Sequence, residues 1–174
     1  VNIQYSNSPR GEIISASVGD ELCLCDWNEM PCAERNKLRL LRYIKAEFKI
    51  ETSSILEQTK KQLDEYFTGN RKTFDIPLHP VGTDFQKKVW NALLDIPYSE
   101  TRSYKEIAIS MGTPNGTRAV AGAIGSNGIS ILIPCHRVIG SNHSLTGFAG
   151  GLATKRFLLE LEAEQKQHKM LIFK

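Results

Sequence analysis

The stretch Ile76-Pro77-Leu78-His79-Pro80 constrains this chain more than any other feature. Two prolines in four residues remove two backbone donors and push the residues before them out of the helical region, so no helix continues through. The two sides are expected to fold as separate units, with the boundary between residues 80 and 81. The full 174 residues can bury a core without staples, as one ordinary domain or two small ones.

The two sides differ in periodicity. Ile13 to Val18 is β-prone, Gly19-Asp20 makes a turn, and Leu22 and Leu24 alternate with Cys23 and Cys25, which predicts a strand pair over Glu12 to Trp27. Helical spacing follows from Lys37 to about Phe48 and from Ser54 to Phe67, where Leu56, Thr59, Leu63, Tyr66 and Phe67 recur and Gly69-Asn70 ends the run. Residues 1–80 therefore read as a small α/β domain, a short sheet packed on helices. Residues 81–174 read as mainly helical. Thr83 with Gln86 and Ser103 with Glu106 are capping boxes, each ahead of an apolar helical pattern. Helix, the turn Thr113-Pro114-Asn115-Gly116, and a helix over Thr117 to Ile124 with small residues at Ala119, Ala121, Gly122 and Ala123 make a helix-turn-helix pattern. Leu152 to about Glu164 is the last long helix.

Formal net charge is +3, with 11 basic against 12 acidic residues through Pro80 and 11 against 7 after it. The surplus in the second half is a weak hint of a polyanionic partner. No basic segment leads into an apolar run at the start, and no window approaches the ~20 apolar residues that span a bilayer. A cytoplasmic monomer is expected, although Val1 in place of Met leaves a short leader open. Three of the four cysteines crowd into ten residues, which suits a reducing compartment. Cys23, Cys25 and Cys32 lack the Cys-x-x-Cys spacing and the fourth ligand of a closed zinc site, so they read as core thiols and no metal is expected.

Chemistry concentrates in Ile131-Leu132-Ile133-Pro134-Cys135-His136-Arg137-Val138, an apolar run ending in a thiol with an imidazole and a fixed positive charge beside it. Both neighbours favour the thiolate, the nucleophilic form. Alone, the pair is ambiguous, because neighbours on an extended strand point to opposite faces and would need a bend or a bridging water to cooperate. Glu162 follows Leu158 by one turn on an apolar stripe, which favours an inward position over an exposed helix charge. Asn127, in Ser126-Asn127-Gly128, is on its own a turn former.

Pro134-Cys135-His136-Arg137, preceded by Asn127, is similar to the signature of the O6-alkylguanine-DNA alkyltransferases. Phe85-Gln86-Lys87-Lys88-Val89-Trp90, Ser103-Tyr104, Arg118-Ala119-Val120, Gly147 to Leu152 and Glu162 resemble that family in order and spacing. The resemblance covers Val81 to Glu162; the first half matches only in its strand-then-helix layout.

What the resemblance implies is DNA repair by a single irreversible transfer of an alkyl group from O6-alkylguanine, with O4-alkylthymine as a further candidate, onto Cys135, without cofactor. His136 would be the base acting through a water, Glu162 its orienting partner, and Asn127 the link between recognition helix and active-site segment. The base must leave the duplex for an in-line approach. Arg118 resembles the finger that fills the vacated stack, and Tyr104 the residue that crowds the phosphate. Thr117, Ala119, Gly122 and Ser141 would also meet double-stranded DNA, in the minor groove, which small side chains allow a helix to approach. Val138, Ser130, Phe148 and Ala149 would line the alkyl pocket; Ser130 and Ala149 stand where some relatives carry Pro and Ser, leaving the alkyl range open. The alternative is a non-catalytic protein that binds alkyl damage, and Cys135 argues against it.

Overall fold

The computed structural model describes all residues except 46, 142–147, 149–150 and 173–174, and of residues 166–172 the backbone alone. Strands β1 (Asn2–Ser8), β2 (Gly11–Val18) and β3 (Glu21–Trp27) form an antiparallel meander. Gly19 turns β2 into β3 at a φ of 56°, a left-handed conformation that costs a side-chain-bearing residue more. Strand β4 (Lys49–Ile50) adds in parallel to β1, giving the order β3-β2-β1-β4.

Both faces of this sheet are covered, so the residues from Ile13 to Ser17 on β2 are all buried. Helix α1 (Pro31–Ile44) lies over one face, where Ala33 and Leu40 meet Ile3, Ile14, Ala16, Cys23 and Leu24. Helix α2 (Ser54–Phe67) and the carboxy-terminal half cover the other, against Ile13, Leu22, Cys25 and Trp27. Leu22 and Leu24 thus serve different cores, not the common face that simple alternation predicts. The pairing of β2 with β3 explains it: Ser17 faces Leu22 and Ala16 faces Leu24, so Cys23 is an extra residue, a bulge that flips the faces. Helix α1 also starts six residues earlier than its apolar spacing suggests, with Pro31 at its first turn and Glu34 following. It ends before Phe48, where Lys45 turns left-handed.

The carboxy-terminal half is helical: α3 (Asp84–Leu93), α4 (Tyr104–Ser110), α5 (Thr117–Gly125) and α6 (Leu152–Ile172), with β5 (Arg102–Ser103) paired in parallel to β6 (Val138–Ile139). Both capping boxes form: Thr83 and Ser103 accept from the backbone of Gln86 and Glu106, whose side chains reach back to the cap N–H groups. Helix α6 runs on past Glu164. The molecule is a two-domain arrangement, a sheet domain followed by a helical domain, but one core joins them: Trp27, Leu56 and Tyr66 belong to the same cluster as Val89, Trp90, Leu93, Ile124 and Leu158.

Edge strand β3 completes the junction. Leu22 bonds with Pro77 and His79 at 2.8 and 2.7 Å, and Cys25 with Gly128 and Ser130 at 2.9 and 2.7 Å. The proline-rich segment and the segment leading to Cys135 therefore extend the amino-terminal sheet, which satisfies an edge otherwise left open. Among the described residues no helix is long and apolar enough to cross a membrane.

Candidate active site

Residues 129–137 form no strand. An Ile131 φ of 73° and a 2.9 Å bond from Leu132 N–H to Ser130 C=O make a γ-turn, a conformation strained for a β-branched residue. Pro134 (φ −80°, ψ 62°) makes the inverse kind, closed by Cys135 N–H donating to Ile133 C=O at 2.8 Å, and Cys135–Arg137 is a single 3-10 turn. The apolar run predicts a strand ending at Cys135, whose cooperation with His136 would need a bend or a bridging water; the chain bends there.

Asn127 holds this path together. It lies just beyond α5, is buried, and its Nδ2 donates to Ile133 C=O at 3.0 Å and Ile129 C=O at 3.2 Å, while Oδ1 accepts from Ile129 N–H at 3.0 Å. Its amide also favours the thiolate form of Cys135. Burial nonetheless dominates there and pushes that thiol up to about 11, with Asn127 and Lys155 pulling it down and Asp26 pushing it up. Cys135 therefore rests as a thiol at neutral pH, and a proton must be removed for reaction.

His136 and Glu162 are both fully buried, with Nε2 and Oε2 2.6 Å apart. Glu162 is a hub: its oxygens accept from Arg137 Nε at 2.8 Å and Nη2 at 3.2 Å, from Tyr66 Oη at 2.6 Å and from Ser99 N–H at 3.0 Å. Burial alone would raise its carboxyl; hydrogen bonds from His136 and Arg137 and the guanidinium charge outweigh that and hold it at about 2. Burial lowers the His136 imidazole, against the pull of Glu162, so the ring rests neutral. A carboxylate at Nε2 fixes the proton on that nitrogen and leaves Nδ1 as the basic atom. Nδ1 has no hydrogen-bond partner among the described residues.

Pairing of Arg102 with Val138 and Ser103 with Ile139 brings the start of α4, hence Tyr104, beside this turn. Val138 and Ser130 are buried, while Phe148 is half-buried and meets Trp27 edge-on at 6.0 Å. Ala149 lies outside the described residues. Ser141 is exposed. On α5, Val120, Ala123 and Ile124 face the core, and Arg118, Ala119 and Gly122 are exposed with Thr117 half-buried at its start. A Cβ at Gly122 would meet no atom within 4 Å, so this face is open and lined by small groups.

Sequence reasoning missed Lys155. It is fully buried on α6, its Nζ donates to Val138 C=O at 2.5 Å, and it stands 5.8 Å from the Tyr104 ring centroid. Burial drives its ammonium down to about 8, with Cys135 opposing. Its signal was present: Lys155, Leu158 and Glu162 share one helical face at spacings of three and four. Tyr66 and Ser99, which complete the Glu162 hub, carried no local signal. Cys23, Cys25 and Cys32 are buried thiols outside any disulfide, all raised by burial. Among the described residues no group of His, Cys, Asp or Glu could hold a metal ion.

A cysteine on a tight turn, backed by a neutral imidazole and a buried carboxylate, defines a protein built around one activatable thiol. Two family models match the chain: the 6-O-methylguanine DNA methyltransferase ribonuclease-like domain over residues 2–80 and the DNA binding domain of the same protein over 84–164. The methylated-DNA–protein-cysteine methyltransferase of Methanosarcina barkeri is 56% identical over 113 residues, 65% of this chain and 72% of the relative. The constitutive enzyme of that name from Bacillus subtilis is 44% identical over 166 residues, 90% of this chain and 92% of the relative. A crystal structure of Mycobacterium tuberculosis OGT in complex with DNA matches with a TM-score of 0.83 at 40% identity, over 95% of this chain and 94% of that one. The chain belongs to the 6-O-methylguanine DNA methyltransferase family.

Proposed function

We propose that the protein repairs DNA by moving a methyl or larger alkyl group from O6 of guanine in duplex DNA onto Cys135, once per molecule. O4-alkylthymine offers the same alkyl–oxygen bond and is a second substrate to test. The observation that carries this reading is the turn itself: the segment leading into Cys135 held by Asn127 through Ile129 and Ile133, next to a neutral His136 whose far nitrogen is bound to Glu162. Nδ1 of His136 takes the thiol proton through a water, and Glu162 stabilises the imidazolium. The thiolate attacks the alkyl carbon, the bond from carbon to O6 breaks, and the guanine anion leaves to be protonated. The product is a thioether and an intact guanine.

The open face of α5 suits the minor groove. In this reading α4 and α5 are a helix-turn-helix in which Thr117, Ala119 and Gly122 approach the sugar-phosphate walls and Arg118 enters the stack vacated by the flipped base. Tyr104 and Ser141 border the phosphates, while Val138, Ser130, Phe148 and Ala149 line the alkyl pocket. We divide the domains at residues 80 and 81 and place the work in the cytoplasm, on cellular DNA. The presence of the Cys135 thiol disfavours a purely damage-binding protein.

Duplex DNA carrying a labelled O6-methyl group tests the reading. Label should pass to the peptide containing Cys135, and Cys135→Ser should abolish transfer while leaving DNA affinity within about twofold, because phosphate and groove contacts carry binding. Transfer by that variant would remove Cys135 from its role.

A further inference from the structure

Residues 1–80 as a whole are slightly acidic, yet α1 carries Arg35, Lys37, Arg39 and Arg42 against Glu34 alone, and Lys45 follows at its end. Glu34 is paired with Lys37 at 3.0 Å. The ion pairs among the described residues include none of Arg35, Arg42 and Lys45, all three exposed. Arg35 and Arg42 are seven positions apart, so they share one helical face. Leu38 lies between them on that face and is 58% exposed, so no described part of the chain covers it. This face begins at α5. Arg35 Nη2 donates to Gly125 C=O at 3.1 Å and Arg39 Nη1 to Ser126 C=O at 2.6 Å, so two guanidiniums of α1 satisfy carbonyls at the carboxy end of α5. Gly125 follows Arg118 and Gly122 at spacings of seven and three on the exposed side of α5, and a Cβ there would meet no atom within 4 Å. The basic face of α1 is thus continuous with the open face of α5.

We propose that α1 is a second DNA contact, in which Arg35, Arg42 and Lys45 bind phosphates of the duplex that continues past the carboxy end of α5. The proposal rests on α5 docking in the groove. A helix lying in a groove has sugar-phosphate walls along it, so an exposed basic face that starts at its end meets phosphate. From Arg35 to Arg42 the helix advances ~10 Å, a length over which a duplex carries about six phosphates. Such contacts read no sequence; they raise affinity for any duplex and fix the orientation of the protein on it. A protein that searches undamaged DNA for one altered base uses affinity of that kind. The amino-terminal domain thereby takes part in binding as well as in the fold.

The test is the salt dependence of binding to an undamaged duplex too short for two copies. Arg42→Gln combined with Lys45→Gln should make the slope of log affinity against log salt shallower by about 2, and weaken binding about tenfold at about 0.1 M salt. Arg35 stays in place, because its bond to Gly125 also serves α5. Lys60→Gln combined with Lys61→Gln on α2 removes the same charge from the same domain and should leave the slope as it is. An unmoved slope in the α1 variant would overturn the proposal, and so would equal changes in both variants, which would reduce the effect to net charge. A loss confined to longer duplexes that hold several copies would also overturn it, by making a neighbouring copy the partner of this face. Gly122→Leu reads α5 separately: affinity lost there, with the α1 slope unmoved, removes the α1 contact and keeps the groove docking. Native protein that binds the duplex without methyl transfer would count against the repair function alone.

Discussion

At the scale of single residues, Glu162 decides most. It gathers an imidazole, a guanidinium, a phenol and a backbone N–H in a space closed to water, so neutralising it leaves Arg137 buried without its charge partner. Breaking such a pair costs about 3–5 kcal/mol. Glu162→Gln should lower thermal stability on that scale. It should also slow alkyl transfer more than tenfold, with the acid limb of the pH–rate profile displaced to lower pH because an imidazolium that has lost its carboxylate gives up its proton more readily. An unchanged profile in a folded variant would make the Glu162 contact to His136 purely structural. The sign for acid follows from the same group. Its carboxyl is held at about 2, below the usual ~4.3 of an unfolded chain, so its contribution to stability is present above pH ~4.3 and is lost as pH falls through 2. Half of this hub was legible in the sequence. Cys135, His136 and Arg137 are adjacent and Glu162 lies on a readable stripe, but Tyr66 reaches it across 96 positions and Ser99 across 63, where no local pattern operates.

At the scale of elements, local rules worked where bonds are local. Both capping boxes could be read because cap and partner are three residues apart. Strand β4 went unread because it is two residues long and pairs with β1 across the whole of α1, β1 because Asn2, Gln4, Ser6 and Asn7 leave it little apolar alternation, and the bulge at Cys23 is a property of register. Helix α5 was legible as a helix, and the groove-docking role proposed for it rests on its open face. Gly122→Leu should raise stability by up to ~1 kcal/mol, since the added Cβ meets nothing and helix propensity improves. The same change should weaken binding to duplex DNA at least tenfold, by holding the helix off the groove. Unaltered affinity would move the DNA surface elsewhere. Arg118→Ala should slow repair in duplex DNA more than transfer from a free alkylated base, because only the duplex leaves a stack to fill; equal losses would assign Arg118 to chemistry or folding.

At the scale of the whole molecule, the proline-rich segment marks a change of secondary structure without separating two cores. Its backbone joins β3 at Leu22, the acceptor segment joins the same strand at Cys25, and Tyr66 crosses to Glu162, so the halves share one interior and one reactive centre. That centre can work only once. A thioether on Cys135 has no polarised bond for water or a thiol to attack, and Cys23, Cys25 and Cys32 are buried thiols of the other domain. The most direct test of the account is therefore a titration of a known amount of active protein with excess O6-methylguanine duplex. Product should reach a plateau at one equivalent, with the added methyl mass on the peptide containing Cys135; product that continues to accumulate past one equivalent would contradict the acceptor mechanism.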